Sequence, residues 1–214
     1  MGHSGKGHQH DFAERFSDPE AIAEYARRSA RLPLRNRGLW SAFRRLNPSG
    51  TLGPTGTWLD LGCGPGLTTI EAARRFPGLQ LIGIDVSEHM IDYARDRAAE
   101  AGVGNRLQFA VGDVTDPSVL SAHAPADGIV STYTLHHFDD AVAAIRTMAG
   151  ALAPGAPLLV CDFRRVRWLS RWLPTAEAYR PEEAATLMTQ AGLSEVEVAT
   201  HFPYALTLLG RKTT

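Results

Sequence analysis

Trp58-Leu59-Asp60-Leu61-Gly62-Cys63-Gly64-Pro65-Gly66 decides the architecture. An apolar run ends at Leu61, three glycines follow at alternate positions, and residues 67–76 then carry helical periodicity up to Pro77-Gly78. A strand that must turn into a helix within a few residues needs glycine there. A Cβ would block both the tight turn and the close approach of backbone to a ligand.

The same rhythm continues on the carboxyl side. Residues 79–84 read as a second strand, 88–101 as a helix stopped by Gly102, 106–111 as a third strand and 128–132 as a fourth. A helix over 141–152 ends at Pro154-Gly155, and 157–161 form a fifth strand. Short apolar strands separated by helices predict a parallel sheet covered on both faces. Residues 195–200 and 204–209 flank His201-Phe202-Pro203 and predict a closing antiparallel hairpin. The expected fold class is therefore α/β: a Rossmann-like, doubly wound, mostly parallel seven-stranded sheet with a C-terminal antiparallel hairpin and an N-terminal helical arm.

On the amino side, Asn47-Pro48-Ser49-Gly50 through Gly56 is a turn-rich bridge. Ahead of it, residues 11–46 predict the helical arm, with a helix start at Ser17-Asp18-Pro19-Glu20 and Ile22, Tyr25 and Ala26 at helical spacing. Residues 1–10, rich in Gly, His and Ser, predict a disordered tail, and 57–214 the main domain. His3, His8 and His10 suggest metal, but only Asp11 stands near to complete a ligand shell, so no metal is expected.

The whole chain has 214 residues, 44% of them apolar, which suits one α/β domain with an appendage. Lys and Arg (22) nearly balance Asp and Glu (23), which argues against coating nucleic acid, and no nucleic-acid partner is expected. No stretch is apolar and long enough to span a bilayer, and the polar N-terminus lacks the apolar core of a secretory signal. Cys63 and Cys161, the two cysteines, make neither a disulfide framework nor a zinc site. A reducing cytoplasm is the expected location.

Two acids extend the glycine-loop signal. Asp85 ends the second strand, where a carboxylate can take both hydroxyls of a ribose. Asp113 follows the third strand, where another can accept from an adenine amino group. Over about residues 58–163 this pattern resembles the class I S-adenosylmethionine-dependent methyltransferases. The resemblance implies S-adenosylmethionine as cofactor and S-adenosylhomocysteine as product. It implies that Asp60, Gly62, Cys63, Gly64 and Gly66 back the methionine part, that Asp85 holds the ribose, and that Asp113 with Val114 reads adenine. Val86 and Met90 become apolar neighbours of the adenine, and Tyr133 and Tyr25 further contacts, the latter from an arm that serves as cofactor lid.

Two rivals remain. A nicotinamide dehydrogenase wants glycines at loop positions one, three and six; counted from Gly62, position six is Leu67. A catalytically silent S-adenosylmethionine-binding scaffold would keep the loop but has no use for a base.

The acceptor belongs beyond the carboxyl end of the fourth strand. That strand leads into Ser131-Thr132-Tyr133-Thr134-Leu135-His136-His137, not the Asn/Asp-Pro-Pro-Tyr that resembling nucleobase-amine enzymes carry. A small-molecule acceptor, a metabolite or natural product, is expected. Where it presents a hydroxyl or acidic carbon it needs a base near neutral pH, His137 first and His136 second. Asp162, placed just beyond the fifth strand, is the group to orient them. Residues 164–172 carry four arginines and two tryptophans. As a helix they make a lid or a dimer contact, which leaves a homodimer open, a clamp for an anionic acceptor, or a membrane-surface anchor.

Overall fold

A computed structural model describes residues 18–31, 36–46, 54–166, 178–201 and 203–213. The histidine tail, the bridge at 47–53 and Arg167 to Trp172 lie outside the described residues.

The arm supplies α1 (Pro19–Ala30) and α2 (Arg37–Arg45). Asp18 caps α1 as the sequence suggests, its carboxylate accepting from the amides of Glu20 and Ala21 at 3.2 and 3.3 Å. There follow β1 (Gly56–Leu61), α3 (Leu67–Arg75), β2 (Leu79–Asp85), α4 (Glu88–Glu100), β3 (Leu107–Val111), α5 (Pro117–Ser121), β4 (Gly128–Thr132), α6 (Ala141–Ala151), β5 (Pro157–Phe163), α7 (Pro181–Gln190), β6 (Leu193–His201) and β7 (Ala205–Lys212). The seven strands form one sheet in the order β3-β2-β1-β4-β5-β7-β6. β1 to β5 pair in parallel, and β7 inserts antiparallel between β5 and β6.

The period-two alternation of a strand splits the core into two layers. Leu59 and Leu61 face a cluster that includes Ile129, Leu158 and Val160 under α5, α6 and α7. Trp58 faces the other way, with Leu79, Leu81, Val130 and Leu159, under α2, α3 and α4. Trp58 is paired in register with Gly128, and a Cβ on that glycine would sit 2.3 Å from the indole ring. Glycine at 128 is what lets the indole lie flat across β4.

α2 is not a loose appendage. Leu39, Trp40, Ala42 and Phe43 are buried, and Phe43 stacks on Phe76 at 5.3 Å and meets Trp58 at 4.9 Å between ring centroids. The helix is thereby plugged into the sheet by aromatic packing.

Some boundaries differ from the sequence-based expectation. α5 is an extra short helix, started by Asp116 and Pro117. β5 runs on to Phe163 because β7 pairs with it through Asp162↔Leu206 and Phe163↔Ala205, so Asp162 lies inside the strand and not beyond it. β6 begins at Leu193, with an irregularity between Ser194 and Glu197 that accommodates Glu195 at φ 50°.

Truncating Phe43 tests the docking of α2. Phe43→Ala should lower unfolding free energy by about 3–5 kcal/mol, the usual range for a buried aromatic. A loss below about 1 kcal/mol in urea denaturation, the range of a surface site, would mean the helix is not part of the core.

Candidate functional site

Strand order reverses between β1 and β4, and in such sheets ligands collect beyond the carboxyl ends at that point. The glycine loop lies there. Gly62, Gly64 and Gly66 all have positive φ, at 71°, 51° and 74°. A Cβ on Gly62 would strike the Thr134 side chain at 2.6 Å, and one on Gly66 would strike Ala94 at 2.9 Å. A Cβ on Gly64 would meet nothing within 4 Å, so that face of the loop is clear.

Asp60 lies beneath the loop, fully buried, and accepts from the Thr69 hydroxyl at 2.5 Å. The carboxylate thus ties the end of β1 to the first turn of α3. Thr134 closes the opposite side, donating to the Gly62 carbonyl at 3.3 Å, and Ser131 donates to the Leu61 carbonyl at 2.8 Å.

Asp85 stands at the tip of β2, 6% exposed, and accepts from the Gly64 amide at 2.8 Å and the Ser87 amide at 3.0 Å. Burial pushes its carboxyl above the ordinary aspartate range, while amides of Ser87, Gly64 and Val86 pull it back. Cys63, in the loop itself, is driven well above the usual thiol range by burial and then by the Asp85 and Asp60 charges. Its thiol is therefore protonated at neutral pH.

Two apolar side chains are conspicuous for their exposure, Val86 at 36% and Val111 at 50%, and both sit at carboxyl ends, of β2 and β3. They flank the loop of Asp113, whose carboxylate accepts from the Thr115 amide and hydroxyl at 2.8 and 2.7 Å. Val114 is buried beside them. Met90 is fully buried in a small cluster with Ile22 and the half-buried Tyr25 and Tyr93, so α1 rests on α4 next to this edge.

On the far side, β4 passes into Tyr133, whose backbone takes φ 57° and whose amide donates to Cys161 O at 2.7 Å. A single 3-10 turn then spans Leu135–His137. Asp162 grips that turn twice: it accepts from the His136 amide at 3.1 Å and meets His136 Nδ1 at 2.7 Å, both side chains 2% exposed. The His137 ring lies 4.0 Å from the His136 ring and is exposed. The histidine that Asp162 holds directly is therefore His136.

Arg164 donates to Pro203 O at 3.2 Å, and Arg165 to Ala178 O and Glu183 at 2.9 and 3.2 Å. No group of three His, Cys, Asp or Glu able to hold a metal occurs among the described residues. Among them, too, no helix is long and apolar enough to cross a membrane. The sequence reading passed over Thr68, Thr132 and Asn36. These form a buried chain, Asn36 Nδ2 donating to Thr68 Oγ1 at 3.1 Å and Thr68 Oγ1 meeting Thr132 Oγ1 at 3.0 Å. A threonine just inside the helix after a glycine loop was the available signal for Thr68; for Asn36 there was none.

Residues 59–155 match the family model of a methyltransferase domain. A structure of a SAM-dependent methyltransferase from Aquifex aeolicus superposes with a TM-score of 0.71 at 19% identity, covering 92% of this chain and 99% of that one. The chain therefore has the fold of that methyltransferase structure, and residues 59–155 are similar to a methyltransferase domain. Norajmaline N-methyltransferase of Rauvolfia serpentina is 31% identical over 129 residues, 60% of this chain and 42% of that protein. Magnesium-protoporphyrin O-methyltransferase of Rhodobacter capsulatus is 44% identical over 61 residues, 28% of this chain and 26% of that protein. The chain thus spans less than half the length of either of these relatives.

The buried Asp85 sets a pH dependence. Its folded-state pKa is raised, so its contribution to stability is complete below the unfolded aspartate value of about 4 and is lost as pH rises through the folded value. Urea unfolding of Asp85→Asn and wild type from pH 4 to 8 should show wild type losing ground to the variant as pH rises. A constant gap would contradict the burial of this carboxylate.

Proposed function

We propose that the protein transfers a methyl group from S-adenosylmethionine to a small-molecule acceptor. The observation that carries this reading is the 2.8 Å bond between Asp85 and the Gly64 amide, which sets an acid from β2 against the clear face of the glycine loop at the sheet's switch point. Fit supports it further. Open space over Gly64 leaves room for the methionine part, and Val86 and Val111 expose apolar surface where a purine would lie. Asp85 would take the ribose and Asp113 the adenine edge, with Tyr25 covering from the arm. The names of the two relatives, a norajmaline N-methyltransferase and a magnesium-protoporphyrin O-methyltransferase, support a small-molecule acceptor.

When bound, S-adenosylmethionine supplies a methyl carbon on a sulfonium; as the acceptor bonds to that carbon, the carbon–sulfur electrons return to sulfur. The protein contributes position above all. For a hydroxyl or carbon acid it also removes a proton, and we assign that task to His137. Its ring is exposed on the acceptor side, and the turn that carries it is fixed from below by the His136–Asp162 pair. Asp162, accepting from His136 Nδ1, sets the tautomer and angle of the supporting ring. The buried free cysteines are suited to a reducing cytoplasm.

Calorimetry should show binding of S-adenosylhomocysteine and none of NAD; the reverse result would make the glycine loop a dinucleotide site. With an acceptor in hand, His137→Ala should lower kcat by roughly 10²–10⁴ while leaving S-adenosylhomocysteine affinity unchanged. Equal loss of both would reduce His137 to a structural role.

A further inference from the structure

Asn36 is the one polar residue of the arm that is both deeply buried and incompletely satisfied among the described residues. It is 2% exposed, and its Oδ1 has no hydrogen-bond partner among them. A buried amide oxygen left without a donor is disfavoured, and proteins rarely retain one without a ligand or water to complete it. Asn36 also forgoes the ordinary use of its residue type. It stands at the N-cap of α2 in the left-handed conformation, φ 59°, yet makes no side-chain cap for that helix. Its amide reaches across to Thr68 instead.

Thr68 locates the orphaned oxygen. It is the second residue of α3, two beyond Gly66, and its hydroxyl meets Thr132, the last residue of β4. Neighbouring bonds from Ser131 to Leu61 O and from Thr134 to Gly62 O run along the same seam between the glycine loop and β4. This seam lies on the side of the loop away from Asp85 and β2. α3 begins there at Gly66 without a side-chain cap, so its first-turn amides also present their hydrogens without a side-chain acceptor. An uncapped helix start and a buried carbonyl oxygen side by side ask for a ligand that carries an anionic and a cationic group on neighbouring atoms. An α-amino acid does.

We propose that Asn36 is a binding residue for the amino-acid end of the cofactor, its Oδ1 accepting from the α-ammonium. This rests on the S-adenosylmethionine reading given above. Thr68 and Thr132 are positioning residues: their hydroxyls hold the Asn36 amide so that its oxygen stays turned to the ligand.

The test uses two ligands that share a nucleoside thioether and differ in the amino acid. S-Adenosylhomocysteine has it; 5′-methylthioadenosine does not. In calorimetry on the full chain, Asn36→Ala should weaken S-adenosylhomocysteine ten- to a hundredfold, the usual range for losing a hydrogen bond to a charged group, and leave 5′-methylthioadenosine within about twofold. Asn36→Asp keeps an acceptor for a cation and tolerates the left-handed backbone, so it should bind S-adenosylhomocysteine better than the alanine variant. Equal weakening of both ligands would show that Asn36 only props the arm and would overturn the proposal, as would no change in either. An aspartate variant weaker than the alanine one would place the carboxylate at this amide and overturn the ammonium assignment. If wild type binds neither ligand, the cofactor reading fails first; if it binds both and the variants do not discriminate, only this inference fails.

Discussion

A chain that leaves β1 at Leu61 and is helical by Leu67 has five residues in which to reverse direction, and the buried carboxylate of Asp60 is what sets that reversal. Its 2.5 Å bond to the Thr69 hydroxyl ties the strand's end to the helix's first turn across the loop. With both ends held, residues 62–66 adopt left-handed backbone only at glycine, where it carries no Cβ penalty. A buried charge is tolerated only when hydrogen bonds replace its water. Sheet and site therefore meet at one residue that faces no solvent.

The other contacts of the site hang from that loop. Asp85 bonds to its middle, Thr134 and Ser131 to its near end, and Thr68 stands in the helix that Asp60 has placed. Asp85 sits there against its own preference, since burial raises its pKa. Keeping its carboxylate ionised at neutral pH therefore costs the fold some stability.

Much of this was legible in the order of residues. Strand positions 58–61 and 128–132, the loop glycines, and the acids at 85 and 113 all follow from local rules: alternation, turn chemistry and the end of an apolar run. What was not legible depends on partners distant in sequence. That Asp162 belongs inside β5 follows from pairing with Leu206, and its grip on His136 follows from a turn that comes 26 residues earlier. Asn36 is the extreme case. Nothing in Arg35-Asn36-Arg37 marks it, and only the aromatic packing of Trp40 and Phe43 delivers it to Thr68.

That last dependence bears on how such proteins can be rebuilt. α2 is a structural plug at one end and touches the site at the other, so it cannot be exchanged as a module without replacing part of the core. α1, by contrast, makes its buried contact through Ile22 against Met90, away from both core layers. A graft meant to reshape the cover over the site has its natural seam between Arg31 and Asn36. Changes on α1 leave both core layers untouched; on α2, a change at Leu39, Trp40, Ala42 or Phe43 is also a change to the foundation of the sheet.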